Sequence, residues 1–355
     1  MNNKKSKNEF ILIEKNKLIS QNLSLPQECN KFKFKKNGKY AIIIILFIAL
    51  FLYKNKKFHD NLNKIHIAMS LNDNYTYPIM VSITSILLNS NKNTFIEFHI
   101  LIGKDVKAKS KKKITSLKRL NHNIKFSFHH IGNNFKGWIH GKKKLTVASF
   151  YRSISAELIK NVDKIIYLDG DTLTYGDLSE MYHLNMDNVY FRGVREIKSK
   201  GAEPEIDRSR FICAGVMVMN LKLIRRDHIF NIFKKYYLKY FKKNIYYGDQ
   251  HIINALFRNK IKFLPPKFGT WFMDQKYIKR YESLKPIIYT KKELIEANKN
   301  PIIRHLWGTT KEGFLKDKPW LLIGTYEIKK EWQYYAKKTG YYSSICKMFK
   351  HACYI

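Results

Sequence analysis

A short apolar run is followed directly by two carboxylates in Lys164-Ile-Ile-Tyr-Leu-Asp-Gly-Asp171, and this segment is the strongest indication of the fold class. The run from Ile165 to Leu168 has the length and composition of a buried strand. Residues at positions i and i+2 of an extended chain lie on the same side, so Asp169 and Asp171 can reach one divalent cation. Open α/β sheets bind ligands at the carboxyl ends of their strands. The stretch therefore predicts a cation site at a strand end.

Strand and helix patterns alternate before this stretch. Period-two alternation and short apolar runs predict strands, and longer amphipathic segments predict helices. The predicted elements are a strand at 65–69, a helix at 79–88, a strand at 95–102, a helix at 106–120, a strand at 124–128 and a helix at 149–160. This order predicts an α/β fold with a mixed, mostly parallel sheet and helices on both faces.

The net charge of the chain indicates which kinds of molecule it binds. The 355 residues include 66 Lys and Arg but only 28 Asp and Glu, giving a net charge of +38, while 45% of the residues are hydrophobic. The apolar content excludes a disordered chain. The positive charge favours anionic partners, such as nucleic acid, acidic lipid or a phosphate-bearing substrate. No nucleic-acid-binding module is recognisable, so nucleic acid is not expected.

A second apolar run ends near His305, in Pro301-Ile-Ile-Arg-His-Leu-Trp-Gly308. An imidazole beside the two carboxylates would favour Mn²⁺ over Mg²⁺, because imidazole is a softer ligand than carboxylate or water. The alternative is a packed core histidine.

The four cysteines, Cys29, Cys213, Cys346 and Cys353, form no C-x-x-C pair and indicate no zinc module. A Cys346–Cys353 bridge and two unpaired thiols are both compatible with this spacing.

Several motifs now match one family in order. They are Asn72-Asp-Asn-Tyr75, Arg152 within Ser149–Glu157, Ile165–Asp171, Cys213–Leu221, Gly248-Asp-Gln250, Leu264-Pro-Pro266, His305-Leu-Trp-Gly308 and Lys318-Pro-Trp320. The chain resembles glycosyltransferase family 8, the retaining enzymes with the Rossmann-like GT-A fold. The resemblance spans about Ile65 to Trp320 and implies a UDP-sugar donor and Mn²⁺.

The resemblance also implies roles for single residues. The Mn²⁺ ligands would be Asp169, Asp171 and His305. The residues binding the uracil, ribose and diphosphate of the donor would be Ser70, Asn72, Asn74, Tyr75, Arg152, Gly170, Gly308 and Lys318, with Lys311 as a rival to Lys318. Tyr75 would stack on the base, and Asn72 stands where the family often has Asp. Cys213 stands where many members have an Asn that contacts the sugar, which leaves the donor sugar open between glucose and galactose.

Asp249 and Gln250 match the catalytic residues beside the anomeric carbon. A glutamine is a poor nucleophile, so the resemblance implies front-face attack, in which the departing diphosphate deprotonates the acceptor hydroxyl. The metal and nearby cations would then neutralise charge that builds on the leaving UDP. The alternative for this pair is the first turn of a helix, where Asp249 is favoured by the helix dipole.

The N-terminal region carries an uncharged run of fourteen residues, 40–53, between lysine-rich flanks. This run predicts a transmembrane signal anchor, with a buried core segment as the alternative. The expected order is a basic tail at 1–39, the anchor at 40–53, a stem at 54–63, the GT-A domain at 64–322 and a basic helical extension at 323–355. We expect a single-pass type II protein of the Golgi or endoplasmic reticulum with a luminal catalytic domain.

The predicted activity is transfer of a hexosyl group from a UDP-hexose to an unknown glycan, lipid or protein acceptor. Two alternatives are a family-8 protein with altered catalysis and a polyanion-binding membrane protein.

Overall fold

The computed structural model describes most of the chain from Asn63 onward. The described residues are 44, 47, 48, 50, 63–138, 146–196, 210–240, 248–270, 275–283, 286–306, 318–320 and 326–353. Residues 62–355 group into one compact unit. The predicted tail at 1–39 and nearly all of the stem and anchor lie outside the described residues, as do Gly308 and Lys311. In the part of the chain that is described, no helix is both long and apolar enough to cross a bilayer, so the predicted anchor finds no support there.

The four strands predicted up to Leu168 are present, and the described residues contain five more. The strands are β1 Asn63–Leu71, β2 Thr94–Ile102, β3 Ile124–His130, β4 Lys164–Leu168, β5 Thr172–Thr174, β6 Phe191–Arg195, β7 Ile212–Asn220, β8 Ile261–Phe263 and β9 Ile303–His305. The main sheet has the order β3-β2-β1-β4-β7-β6-β8. Strand β7 runs antiparallel to both neighbours, whereas the remaining pairs are parallel. The prediction of a mixed, mostly parallel sheet is confirmed.

Helices cover both faces of this sheet. The α-helices are α1 Thr76–Asn89, α2 Ala108–Thr115, α3 Ser155–Leu158, α4 Ser179–Tyr182, α5 Leu221–Arg226, α6 Ile229–Tyr240, α7 Asp249–Leu256, α8 Gln275–Glu282, α9 Lys291–Lys299, α10 Tyr326–Lys338 and α11 Tyr342–Met348. The 3₁₀ helices are Asp73–Tyr75, Ser116–Leu120, Val147–Ile154, Arg258–Lys260, Pro266–Phe268 and Lys350–Ala352.

The side chains of β1 divide between two cores, as the period-two alternation of a strand requires. Ile65 and Ile67 belong to the core beneath α1, whereas Ala68 faces the opposite core, which includes Phe150. The C-terminal helix α10 joins the first core through the fully buried Trp332. Both faces of the sheet are therefore buried near its middle.

The helix predicted at 149–160 is only partly α-helical. It is a 3₁₀ helix over Val147–Ile154 and becomes α-helical only at α3. The Ser149 hydroxyl donates to the Thr146 carbonyl at 3.1 Å, and the Ser153 hydroxyl donates to the Phe150 carbonyl at 2.7 Å. Such i to i−3 side-chain bonds compete with the regular α-helical pattern.

A second, two-stranded sheet brings distant residues to the end of β4. Strand β5 follows Asp171 directly and pairs antiparallel with β9, with Thr172 opposite His305. The backbone N–H of Leu306 donates to the Asp171 carbonyl at 2.7 Å. Because of this register, a histidine 134 positions away lies beside the carboxylates.

Three of the four cysteines lie in the described part of the chain. Cys346 and Cys353 form a disulfide within the C-terminal extension, so the bridged alternative holds. Cys213 is a buried free thiol.

Candidate active site

The predicted cation ligands come together at the carboxyl end of β4. His305 Nε2 lies 3.2 Å from Asp171 Oδ1 and 3.9 Å from Asp169 Oδ2. One ligand atom from each residue lies within 4.8 Å of the others. Ligands about 2.1 Å from an octahedral cation are about 3 Å apart, so the three side chains need only small movements to share one ion.

Gly215 and Cys213 of β7 support this group from behind. A Cβ atom on Gly215 would collide with the His305 ring and would lie 2.7 Å from Asp169 Oδ2. Glycine is therefore required here by close approach of the ligands. Cys213 Sγ lies 3.4 Å from His305 Nδ1. The thiol thus contacts the second ring nitrogen of a candidate ligand, a position that commonly orients metal-binding histidines.

Arg152 is buried and connects the aspartates. Its guanidinium lies 3.1 Å from Asp169 Oδ1 and 2.7 Å from Asp249 Oδ2, and it covers the Tyr167 ring at 4.4 Å. It also donates to the Ala214 carbonyl. Burial by itself lowers the pKa of Arg152, but the two facing carboxylates outweigh burial and raise that pKa.

Tyr75, Lys318 and Trp320 form the opposite wall. The Tyr75 and Trp320 rings pack edge to face with centroids 5.6 Å apart. The Lys318 ammonium contacts the Asp171 carboxylate and lies 3.0 Å from Tyr75 Oη. Burial alone would raise the pKa of Asp171, but Lys318 and His305 outweigh it and hold that pKa well below its usual range.

An open cavity of about 290 Å³ lies between these walls. The described residues lining it are Ser70, Asn72, Tyr75, Thr146, Ala148, Ser149, Arg152, Tyr167, Asp169, Gly170, Asp171, Lys318 and Trp320. Among these described lining residues, Arg152 and Lys318 carry a positive charge. A cavity of this size, with few polar groups that converge, is typical of a small-ligand site.

The individual donor-site candidates have different environments. Asn72 accepts a 3.0 Å bond from the Tyr75 N–H and so fixes the turn that presents Tyr75. Ser70 Oγ accepts from Tyr167 Oη at 2.9 Å. Asn74 is exposed and does not line the cavity. A Cβ on Gly170 would lie 2.5 Å from Ile79 Cγ1, so packing beneath the site also requires this glycine.

Asp249 and Gln250 begin α7, as the helix-terminus alternative also predicts. Gln250 is held at both ends: Oε1 accepts from the Ala214 N–H at 2.9 Å, and Nε2 donates to Glu196 Oε2 at 2.7 Å. Burial raises the pKa of Asp249 to about 6, although Arg152 opposes this shift. Neither residue is among the described residues that line the cavity; Asp249 contacts Arg152, which does line it.

Sequence reasoning missed Glu196, Gly215 and Tyr167 as members of this site. Glu196 is buried at the end of β6, beside Gln250. Tyr167 Oη donates to Ser70 and lies 3.1 Å from Asp169 Oδ1. Gly215 lies within the family motif Cys213–Leu221, in which only Cys213 was considered as a site residue. A signal for Tyr167 was present, because it precedes Asp169 by two positions and shares its side of the strand.

The donor set fits a divalent cation. Two carboxylates and one imidazole offer both oxygen and nitrogen ligands, a set found around divalent metal ions in proteins. In addition, the Lys318 ammonium already contacts Asp171, so the site attracts positive charge. The structure therefore brings the three predicted ligands into one group that could hold a metal ion.

The sequence of the chain is similar to a known protein family and to several known proteins. A sequence profile described as glycosyl transferase family 8 matches residues 66–322. The lipopolysaccharide 1,2-glucosyltransferase of Escherichia coli strain K12 is 24% identical over 259 residues, covering 70% of this chain and 72% of the relative. The lipopolysaccharide 1,3-galactosyltransferase of Salmonella typhimurium strain LT2 is 24% identical over 234 residues, covering 60% of this chain and 66% of the relative.

A solved structure shares the fold. The galactosyltransferase LgtC in complex with donor and acceptor sugar analogs superposes with a TM-score of 0.64 at 20% identity, covering 77% of this chain and 96% of LgtC. At this identity the likeness concerns the fold alone.

The relatives correct the predicted location. They come from bacteria, which have neither a Golgi apparatus nor an endoplasmic reticulum. The prediction of a Golgi or endoplasmic reticulum protein with a luminal catalytic domain is therefore wrong. The profile covers most of the chain and includes the strand-end carboxylates and His305. On these grounds the chain belongs to glycosyltransferase family 8 and is a glycosyltransferase with the GT-A fold.

Proposed function

We propose that the chain transfers glucose or galactose from a UDP-sugar to a glycan acceptor, with retention of configuration and with Mn²⁺ as cofactor. The observation that carries the proposal is the convergence of Asp169, Asp171 and His305 beside a cavity with two buried cations, Arg152 and Lys318. The names of the two lipopolysaccharide glycosyltransferases favour glucose or galactose over other sugars.

The walls of the cavity suggest how the donor is held. Tyr75 offers an aromatic face for the uracil, and Ser70 and Asn72 place hydroxyl and amide groups within the same cavity for the ribose. Lys318 is the described cation nearest to the carboxylates, and it would donate to the diphosphate. A bound Mn²⁺ would neutralise charge on the departing UDP.

Gln250 supports a front-face reaction. Both ends of its side chain are engaged, the carbonyl oxygen by the Ala214 N–H and the amide by Glu196. An amide oxygen that already accepts a hydrogen bond is a still weaker nucleophile, so a positioning role suits it better. In the proposed step the bond from the anomeric carbon to the diphosphate breaks, the acceptor oxygen bonds that carbon on the same face, and its proton passes to a diphosphate oxygen.

The decisive experiment screens UDP-sugars against the purified full-length chain with Mn²⁺. Release of UDP is measured with and without oligosaccharide acceptors. We expect turnover with UDP-glucose or UDP-galactose, loss on chelation of the metal, and loss in the Asp171→Ala variant. An Asp187→Ala variant, which changes an exposed aspartate elsewhere, serves as the control. The proposal fails if the folded parent chain neither binds nor consumes any UDP-sugar.

A further inference from the structure

A row of histidines crosses strands β1, β2 and β3 at a distance from the donor cavity. His66, His99 and His129 lie on the same face of the sheet as Ala68, together with Glu97, which pairs in register with His66. His66 precedes Ser70 by four residues, which corresponds to about 13 Å along an extended strand. The row is therefore separate from the carboxylates of the active site.

The ring nitrogens in this row face each other. His66 Nδ1 lies 2.9 Å from His99 Nε2, and His99 Nδ1 lies 3.0 Å from His129 Nε2. His66 Nδ1 is also 3.8 Å from Glu97 Oε2. Ligands about 2.1 Å from a tetrahedral zinc ion are about 3.3 Å apart, so the observed spacings bracket that value.

The two oxygens of Glu97 have different partners. Oε1 accepts from Ser127 Oγ at 3.0 Å and lies 2.8 Å from Lys125 Nζ, which fixes the carboxylate. Oε2 points to His66 and also lies 3.3 Å from the Lys64 ammonium. The Lys64 side chain is 53% exposed and can turn into solvent, which would leave Oε2 to a cation.

We propose that His66, Glu97 and His99 form a second metal site, which binds Zn²⁺ and fastens β1 to β2. Two imidazoles and one carboxylate are a known ligand set for zinc, with a fourth position left for water. Their soft nitrogen donors distinguish the site from one for Mg²⁺ or Ca²⁺. The site does not depend on the activity proposed above.

His129 contacts the other ring nitrogen of His99 and can orient that ring. When His99 donates its Nδ1–H to His129 Nε2, its Nε2 lone pair is free for the metal. His66 need only carry its proton on Nε2 to offer Nδ1, so binding requires no ionisation of either ring.

The imidazoles are also uncharged at neutral pH, as ligands must be. Burial, reinforced by Lys64, lowers the pKa of His66 to about 4, and burial lowers the pKa of His99 to about 3.

The test uses the full-length chain with Asp169→Asn and Asp171→Asn, so that the catalytic carboxylates do not compete for zinc. Equilibrium dialysis followed by elemental analysis should find one Zn²⁺ per chain. Adding His66→Gln or Glu97→Gln should weaken zinc binding at least about tenfold, a loss typical of disturbed metal sites. The exposed His122→Gln is the matched control and should bind zinc as the parent does.

A second measurement, made on the parent chain, does not depend on whether the variants fold. Saturating Zn²⁺, but not Mg²⁺, should raise the melting temperature of the parent chain, and Co²⁺ should give the visible absorption of a tetrahedral site. The proposal is overturned if the parent binds no zinc, or if His66→Gln and Glu97→Gln bind it as tightly as His122→Gln. An unchanged melting temperature with bound zinc would exclude the fastening role.

Discussion

The ammonium group of Lys318 contacts the carboxylate of Asp171, although the two residues are 147 positions apart in the chain. Both side chains are buried, and Lys318 also lies 3.0 Å from Tyr75 Oη. A buried carboxylate requires a compensating cation, and here the lysine provides it. If a divalent cation takes this place, Lys318 becomes available for an anionic ligand in the same cavity. The pair therefore couples the proposed metal to the proposed diphosphate contact.

Replacing Lys318 with Met should weaken donor binding while sparing the metal ligands. A hydrogen bond to a charged group contributes about 1.5–3 kcal/mol, which corresponds to about a 10- to 150-fold loss in UDP affinity. Mn²⁺ affinity should stay equal or increase, because the competing ammonium is gone. Calorimetric titration with UDP and with Mn²⁺ measures both. The exposed Lys92→Met is the control, and equal UDP affinity in both variants would refute the assigned contact.

Gly215→Ala should damage the metal site although it replaces none of the ligand residues. The added methyl group would collide with His305 and approach Asp169 Oδ2, which forces the two ligands apart. We expect Mn²⁺ affinity to fall about 10- to 100-fold, as when supporting contacts of metal ligands are lost. The Kd for Mn²⁺ is measured by titration, and circular dichroism reports the fold.

The matched control for this change is Gly176→Ala. The nearest atom to a Cβ there is the flexible Cδ1 end of Ile302, so the methyl group can be accommodated. If both variants bind Mn²⁺ like the parent, the close approach at Gly215 does not hold the ligands in place.

Glu196→Gln should lower kcat more than it raises KM for the donor. The carboxylate of Glu196 accepts from Gln250 Nε2, and a glutamine can keep an acceptor but adds donors that compete for orientation. A displacement of about 1 Å at the reacting centre costs about a hundredfold in rate. Steady-state kinetics separate the two constants. An increase in KM with unchanged kcat would instead assign Glu196 to ground-state binding.

Much of the fold followed from local patterns. The strands around Ile65, Phe98 and Ile166 were predictable because their apolar residues must be buried. The position of His305 beside Asp171 depends on the pairing of β5 with β9, which no local pattern encodes. Glu196 was missed for the same reason, since only the sheet brings β6 to the start of α7. The prediction of the cellular compartment was wrong because a lysine-flanked apolar run does not show from which type of cell the protein comes.

Asp177 is a structural carboxylate beside the first residue of β2, Thr94. The sequence Asp177-Leu-Ser-Glu180 resembles a capping box, but α4 begins at Ser179. Asp177 instead accepts from the Asn91 N–H at 2.8 Å, the Ser179 N–H at 2.8 Å and Thr94 Oγ1 at 3.1 Å. Burial alone would raise the pKa of Asp177, but these donors outweigh it and lower that pKa below its ordinary value of 3.8.

Asp177→Asn should therefore reduce stability only where the native carboxylate is ionised. Loss of the charge-assisted bonds should lower the free energy of unfolding by about 1 kcal/mol at pH 7. Because the folded pKa is depressed, the stabilisation is present above pH 3.8 and is lost as the pH falls through the lower folded pKa. The difference between parent and variant should accordingly shrink under acid conditions. Urea unfolding at several pH values measures it, with the exposed Asp187→Asn as the control. A difference that persists below the folded pKa would point to packing, not charge, as the role of Asp177.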